Sequence, residues 1–381
     1  MTDIRLEIRL DRLAENFRLI REAAGPGVRV LAVVKADAYG HGMIPAARVL
    51  EREGADFFGV FDLDEARLLR GHEFTTPILV LKGVRPDQAP EAVESGASLA
   101  LFTSEAARAL SRASVEAGMT TRVHVKVDTG MGRLGVPASE ATAFCRETAA
   151  LPGLAVEGLF SHFSVSEEAD HPLTRRQEEL FARVLDELPV RPPLVHVSNT
   201  GGVLNRLSLP LDMVRTGIGL YGCMPGPGLA GAERFLPVMR FSTRVHFVKT
   251  VPPGATVSYG ATFTSSKKSV LATLPVGYAN GLFRRLSNRG EVLIRGCRAP
   301  LVGNICMNLA MADVTEIPGV TAGDEAVLLG EQGGDEIRAD ELAQKAGTIH
   351  YEILCSLGRS NPRDYTGGPP DEETNDPAAG G

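Results

Sequence analysis

The sequence lacks several things, and each absence excludes a class. No apolar stretch approaches the ~20 residues needed to span a bilayer, so no membrane anchor is expected. No basic run occurs, and 40 Lys+Arg against 47 Asp+Glu leave a net charge of −7, a poor match for nucleic acid or an anionic surface. The N-terminus, MTDIRLEIRLDRL, carries charges every few residues and has no apolar core of a secretory signal. The five cysteines (Cys145, Cys223, Cys297, Cys306, Cys355) are scattered, odd in number and without CxxC spacing, which reads as reduced thiols in the cytoplasm. No GxGxxG follows the first apolar run, which weakens a doubly wound dinucleotide-binding sheet. What is present is 381 residues, 44% hydrophobic and 23% charged, enough for two domains with a sizeable core.

The first 220 residues alternate continuous apolar runs with amphipathic stretches. The runs are VRVLAVV (28–34), DFFGV (56–60), PILVL (77–81), SLALF (98–102), VHVKV (123–127), LAVEGLF (154–160), LVHV (194–197) and MVRTGIGLY (213–221). Apolar strands separated by amphipathic helices imply a parallel sheet covered on both faces, and eight of them fit a (β/α)8 barrel. Beyond about residue 236, period-2 runs such as FSTRVHFVKTV and EVLIRG, separated by Gly/Pro/Asn turns, read as a mostly antiparallel β domain with one helix at 338–346. The expected domains are thus 1–236 for the barrel, 237–365 for the β domain, and an acidic, Pro/Gly-rich tail at 366–381 that reads as disordered.

Barrel active sites lie at the C-terminal ends of the strands. Those positions here carry Lys35, Lys126, Arg133, His162, His196 and Arg215. Lys35 ends a run of Val, Leu and Ala, where desolvation lowers an amine's pKa and makes it nucleophilic; a lysine merely snorkelling at a strand end is the bland alternative. Ser198-Asn199-Thr200-Gly201-Gly202 and Gly217-Ile218-Gly219 offer hydroxyls and backbone N–H groups at the usual phosphate position of barrels. A nucleophilic lysine opposite a phosphate cradle points to pyridoxal 5'-phosphate (PLP). A metal-dependent barrel hydrolase using His124, His162 and His196 competes, but the HxH pair and strand-end aspartate expected of such ligands are missing.

The stretch VVKADAYGHG (33–42) resembles the PLP-lysine signature of alanine racemases. The resemblance continues, in order, through VDTGMGRLG (127–135), FSHF (160–163), HVSNTGG (196–202), MVRTGIGLYG (213–222), VSYGATF (257–263), GYANG (277–281), GNICMN (303–308) and TIHYEILCSLGR (348–359). It implies a cytoplasmic PLP-dependent isomerase that interconverts L- and D-alanine for peptidoglycan, built as a homodimer with shared active sites. Lys35 matches the PLP-linking lysine and one base. Tyr259 matches the opposing base, delivered by the partner subunit. Tyr39, Thr200, Gly217 and Ile218 fall on the phosphate contacts. Arg133 falls on a substrate carboxylate contact, and the backbone N–H of Met307 would meet that carboxylate from the partner subunit. His162 and His196 flank Arg215, which would face the pyridine nitrogen. Lys126 matches a lysine that many members carry carbamylated; an ion pair with Asp128 is the alternative. Asn280 and Asn308 replace usual aspartates and Asn304 a usual arginine. These departures leave a racemase of serine or of broader specificity as the alternative.

Overall fold

The computed structural model describes residues 3–207 and 211–368, in two compact units. One comprises Ala14–Ala36 and Ala46–Phe235; the other comprises Met1–Leu13, Asp37–Pro45 and Leu236–Gly381.

The first strand, β1 (Arg5–Arg9), belongs to the second unit. Eight parallel strands build the first: β2 (Arg29–Val33), β3 (Phe57–Val60), β4 (Ile78–Val80), β5 (Ser98–Leu101), β6 (Thr121–Asp128), β7 (Leu154–Phe160), β8 (Leu194–His196) and β9 (Met213–Thr216). They pair in chain order, and β9 returns to β2 with Val214 opposite Val30. Between β8 and β9 the circle is drawn together by two backbone bonds, Asp212 N to Val195 O and Arg215 N to Ser198 O. The result is a nearly closed (β/α)8 barrel. Its strands are apolar on both faces because helices cover the outside while side chains fill the inside. Val30, Leu31 and Ala32 are fully buried in succession. The covering helices are amphipathic. In Ser104–Glu116, capped by the Thr103 hydroxyl on Ala106 N, one face buries Ala106, Ala109, Leu110 and Ala113.

The second unit carries a sheet made of β10 (Met239–Arg244), β13 (Glu291–Ile294), β14 (Cys297–Pro300), β16 (Glu325–Gln332), β17 (Arg363–Thr366) and β1, in the order β14-β13-β16-β10-β1-β17. All neighbours are antiparallel except β1 and β17. A three-stranded antiparallel sheet adds β11 (Phe247–Val251), β12 (Ser269–Leu274) and β15 (Ala310–Asp313).

Five expectations need correction. Residues 1–13 were assigned to the barrel, yet β1 pairs with β10 and β17 of the other sheet, and Asp37–Pro45 also groups there. The run at 213–221 is strand only to Thr216; a 3-10 turn, Ile218–Tyr221, follows. FSTRVHFVKTV is two strands in different sheets, broken at Val245-His246. The tail was placed from residue 366, but Thr366 still pairs with Arg9; 369–381 lie outside the described residues. A second helix, His350–Ser360, joins the expected one, observed at Ala339–Ala346.

Candidate active site

The barrel brings the residues singled out within it to the C-terminal ends of its strands. Lys35 follows β2, Lys126 lies in β6 and Arg133 beyond it, His162 follows β7, Thr200 follows β8, and Arg215 lies in β9 ahead of Gly217 and Ile218. Their charges converge on one spot. His162 is held well below the ordinary histidine range, first by burial and then by the positive charges of Arg215, Lys126, Arg133 and Lys35.

Arg215 is the centre of the cluster and is 4% exposed. Its Nη1 donates to His196 Nδ1 at 2.8 Å. Its Nη2 meets Ser161 O at 2.7 Å, His162 Nδ1 at 3.0 Å and Val197 O at 3.1 Å. All four bonds leave from the two Nη atoms. Among the described residues no carboxylate balances the guanidinium directly, and burial, aided by Arg133, lowers its pKa to about 9. The Phe160 ring lies 5.2 Å below it, with Lys126 Nζ 4.6 Å from the same ring and the His196 imidazole stacked in parallel at 4.9 Å. The negative face of the ring offsets part of the repulsion between the two cations.

Lys126 is 5% exposed and makes no ion pair among the described residues. Burial, then Arg215 and Arg133, bring its amine down to about 7. Asp128, the expected ion-pair candidate, is occupied elsewhere: its carboxylate accepts from Gly130 N at 2.9 Å and Gly132 N at 3.1 Å, shaping the loop that leads to Arg133. Thr200 Oγ1 accepts from Gly219 N at 3.3 Å, and this is a site only glycine fits. A Cβ on Gly219 would lie 2.7 Å from the Thr200 methyl, and one on Gly201 2.6 Å from Ser166 Oγ.

After Lys35 the backbone is unusual. Ala36, Asp37, Ala38 and Tyr39 have φ between +52° and +56°, a left-handed turn running into Gly40 at +84°. Such conformations cost about 1–2 kcal/mol per residue. Within the second unit the turn is clamped by Arg363, which donates to Gly40 O and Gly358 O, both at 2.9 Å, and pairs with Asp37. The Asp37 carboxylate also accepts from Met43 N at 2.7 Å.

Tyr39, Tyr259 and Met307 thus belong to the second unit, where Tyr259 is 74% and Met307 57% exposed. Asn304 Nδ2 donates to Tyr259 O at 2.7 Å, and Ser258 Oγ to Asn304 O at 2.5 Å. These bonds hold a turn in which Ser258, Gly260 and Ala261 all have positive φ. Asn280, in place of an aspartate, still caps its turn by accepting from Gly277 N at 3.1 Å.

Sequence reasoning missed two residues here, Glu65 and Glu157, and gave His124 another role. Glu65 accepts from Ala36 N at 2.7 Å and Phe61 N at 2.5 Å beside Lys35, and burial raises its pKa. Glu157 and His124 lie behind Arg215: His124 Nδ1 is 2.8 Å from His196 Nε2, and its Nε2 is 2.9 Å from Glu157 Oε2. His124 entered only as a metal ligand. Among the described residues no three His, Cys, Asp or Glu side chains group as a metal site; the histidines are instead bonded to one another and to Arg215. The lone acid in the otherwise apolar LAVEGLF was the available signal.

Comparison with known proteins agrees with this architecture. Residues 8–225 match the family "Alanine racemase, N-terminal domain" and residues 238–365 "Alanine racemase, C-terminal domain". The chain is 42% identical to the alanine racemase of Halothermothrix orenii, over 94% of this chain and 96% of that one. It is 43% identical to that of Symbiobacterium thermophilum, over 95% and 96%. Among solved structures it superposes with a TM-score of 0.90 on the alanine racemase of D-cycloserine-producing Streptomyces lavendulae, at 34% identity over 98% of this chain and all of that one. The alanine racemase of Bartonella henselae with covalently bound pyridoxal phosphate gives 0.87 at 28% identity, over 95% and 99%. The chain belongs to the alanine racemase family, enzymes that act as isomerases.

Proposed function

We propose that the protein interconverts L- and D-alanine with PLP in the cytoplasm, supplying D-alanine for peptidoglycan, as a homodimer with shared active sites. The carrying observation is the buried guanidinium of Arg215 at a rim it shares with Lys35, Lys126, Arg133 and neutral imidazoles. Its donor set suits the cofactor: the four bonds leave from the two Nη atoms, which leaves the Nε–H to donate to a pyridine nitrogen. Bound PLP supplies an electron sink for the bond at the substrate Cα. A guanidinium donates a hydrogen bond without giving up its proton, which keeps that sink weak and favours prompt reprotonation. Lys35 links the cofactor and works as base on one face. Tyr259 of a second copy works on the other, a role that fits an exposed side chain on a braced turn. Arg133 and the Met307 N–H of the second copy hold the substrate carboxylate. Tyr39, Thr200, Gly217 and Ile218 hold the phosphate, and His162 steadies Arg215.

Purified protein incubated with PLP and either pure enantiomer of alanine should converge on equal amounts of both, by chiral chromatography. Racemisation of serine without alanine would overturn the substrate assignment. Borohydride reduction should fix the cofactor on the Lys35 peptide; labelling of another lysine would overturn that role.

Lys126 is read here as carbamylated. An amine with a pKa of about 7 is about half unprotonated at neutral pH, the form that attacks carbon dioxide. The N–C bond forms, an amine proton leaves, and the anion sits among cations where it can accept from Arg133. Lys126→Ala should lose most activity, and short carboxylic acids should restore part of it. Absence of both rescue and a labelled-bicarbonate signal would leave Lys126 a plain amine.

A further inference from the structure

Behind Arg215 runs a line of side chains that the chemistry above does not use. It crosses the barrel interior from β5 to β9. Ser98 Oγ donates to Glu157 Oε2 at 2.7 Å, His124 Nε2 is 2.9 Å from the same oxygen, His124 Nδ1 is 2.8 Å from His196 Nε2, and His196 Nδ1 is 2.8 Å from Arg215 Nη1. The backbone is shaped to admit it. The β6–β7 register shifts between Val123 and His124, and His124 faces Gly158, where a Cβ would lie only 2.2 Å from its Nδ1. Bulges of this kind re-aim a side chain.

We infer that Glu157 is a positioning residue, which fixes the proton positions on His124 and His196 so that Arg215 is held as a donor toward the cofactor ring. This rests on the reading that Arg215 meets the ring nitrogen. The argument is one of polarity. A guanidinium only donates and a carboxylate only accepts. Between them stand two imidazoles, each with two neutral tautomers, so four combinations exist. Only one satisfies all three hydrogen bonds: His196 accepts from Arg215 at Nδ1 and donates from Nε2, and His124 accepts at Nδ1 and donates from Nε2 to Glu157. Both imidazoles are fully buried and kept neutral, first by burial. Burial acts to raise the Glu157 carboxyl, but the bonds from His124 and Ser98 outweigh it and keep the group ionised. Removing the carboxylate releases the far end of the chain. The reversed tautomers then become available, which set His196 Nδ1–H against the Arg215 N–H.

The test uses the protein with histidine labelled by 15N. In the wild type, with or without cofactor, His124 and His196 should each show an unprotonated Nδ1 and a protonated Nε2 at pH 7.5. Either one protonated at Nδ1 overturns the inference without any variant. In Glu157→Leu both rings should show averaged tautomers, kcat should fall about 10–100-fold by analogy with lost outer-shell partners, and KM should change little. Glu157→Gln, which keeps a carbonyl acceptor, should retain the wild-type tautomers and most of kcat. Wild-type tautomers in Glu157→Leu, or an equal loss in Glu157→Gln, would overturn it. Failure of the protein to capture PLP would instead sink the proposed function and leave the nitrogen spectra readable.

Discussion

Tyr259→Phe is expected to lower alanine racemisation by about 10²–10⁴-fold in both directions while leaving thermal stability within about 0.5 kcal/mol. The two halves of this expectation come from different features. The side chain is 74% exposed, so loss of its hydroxyl disturbs no core. The turn beneath it is held through backbone atoms, by Asn304 on Tyr259 O and Ser258 on Asn304 O, and phenylalanine leaves those bonds in place. A large kinetic loss without destabilisation would therefore come from chemistry at the hydroxyl. If Tyr259 serves one face of the substrate and Lys35 the other, exchange of the Cα hydrogen for deuterium should become much slower from one enantiomer than from its mirror image. Equal residual exchange from both would separate Tyr259 from that role, as would activity within a few-fold of wild type.

The barrel was legible because parallel strands buried on both faces leave continuous apolar runs, and all eight runs coincide with strands. What stayed hidden depends on partners far along the chain. The N-terminal RLEIR carries no signal of its partners; β1 is specified by β10, some 230 residues later, and by β17. The left-handed turn at Ala36–Tyr39 is equally silent, since neither Ala nor Tyr favours positive φ. It exists because Arg363, more than 300 residues away, holds Gly40 O and Asp37. Gly358 also has to be glycine, since a Cβ there would lie 2.0 Å from Gly40 O. The site residues were legible as types at strand ends. Their second layer was not, because a histidine in a strand reads alike whether it binds metal, fills a core or, as His124 does, joins an arginine to a glutamate.

The same second layer makes the barrel sensitive to acid. His124, His162 and His196 are all held below the ordinary histidine range, first by burial and then, for His162 and His196, by Arg215. The sign follows from which state binds protons. Below pH 6.5 the unfolded chain protonates these rings while the folded barrel keeps them neutral, so stability falls as the pH falls through that value. Each such group contributes up to about 1.4 kcal/mol per pH unit while the unfolded chain is protonated and the folded ring stays neutral. The cofactor-free protein should therefore lose stability as the pH falls below about 6.5, and His124→Gln should make that slope shallower. With its amine uncarbamylated, as in buffer free of carbon dioxide, Lys126 extends the trend upward. Its folded value is about 7 against an ordinary 10.5, so the unfolded chain binds the extra proton between those limits and stability keeps rising across them. Lys126→Met should remove that alkaline rise and raise stability at neutral pH. Denaturant titrations of the cofactor-free protein at pH 5, 6, 7 and 9 measure all of this. A curve flat from pH 7 to pH 5 would mean that the three imidazoles do not share one buried, neutral environment.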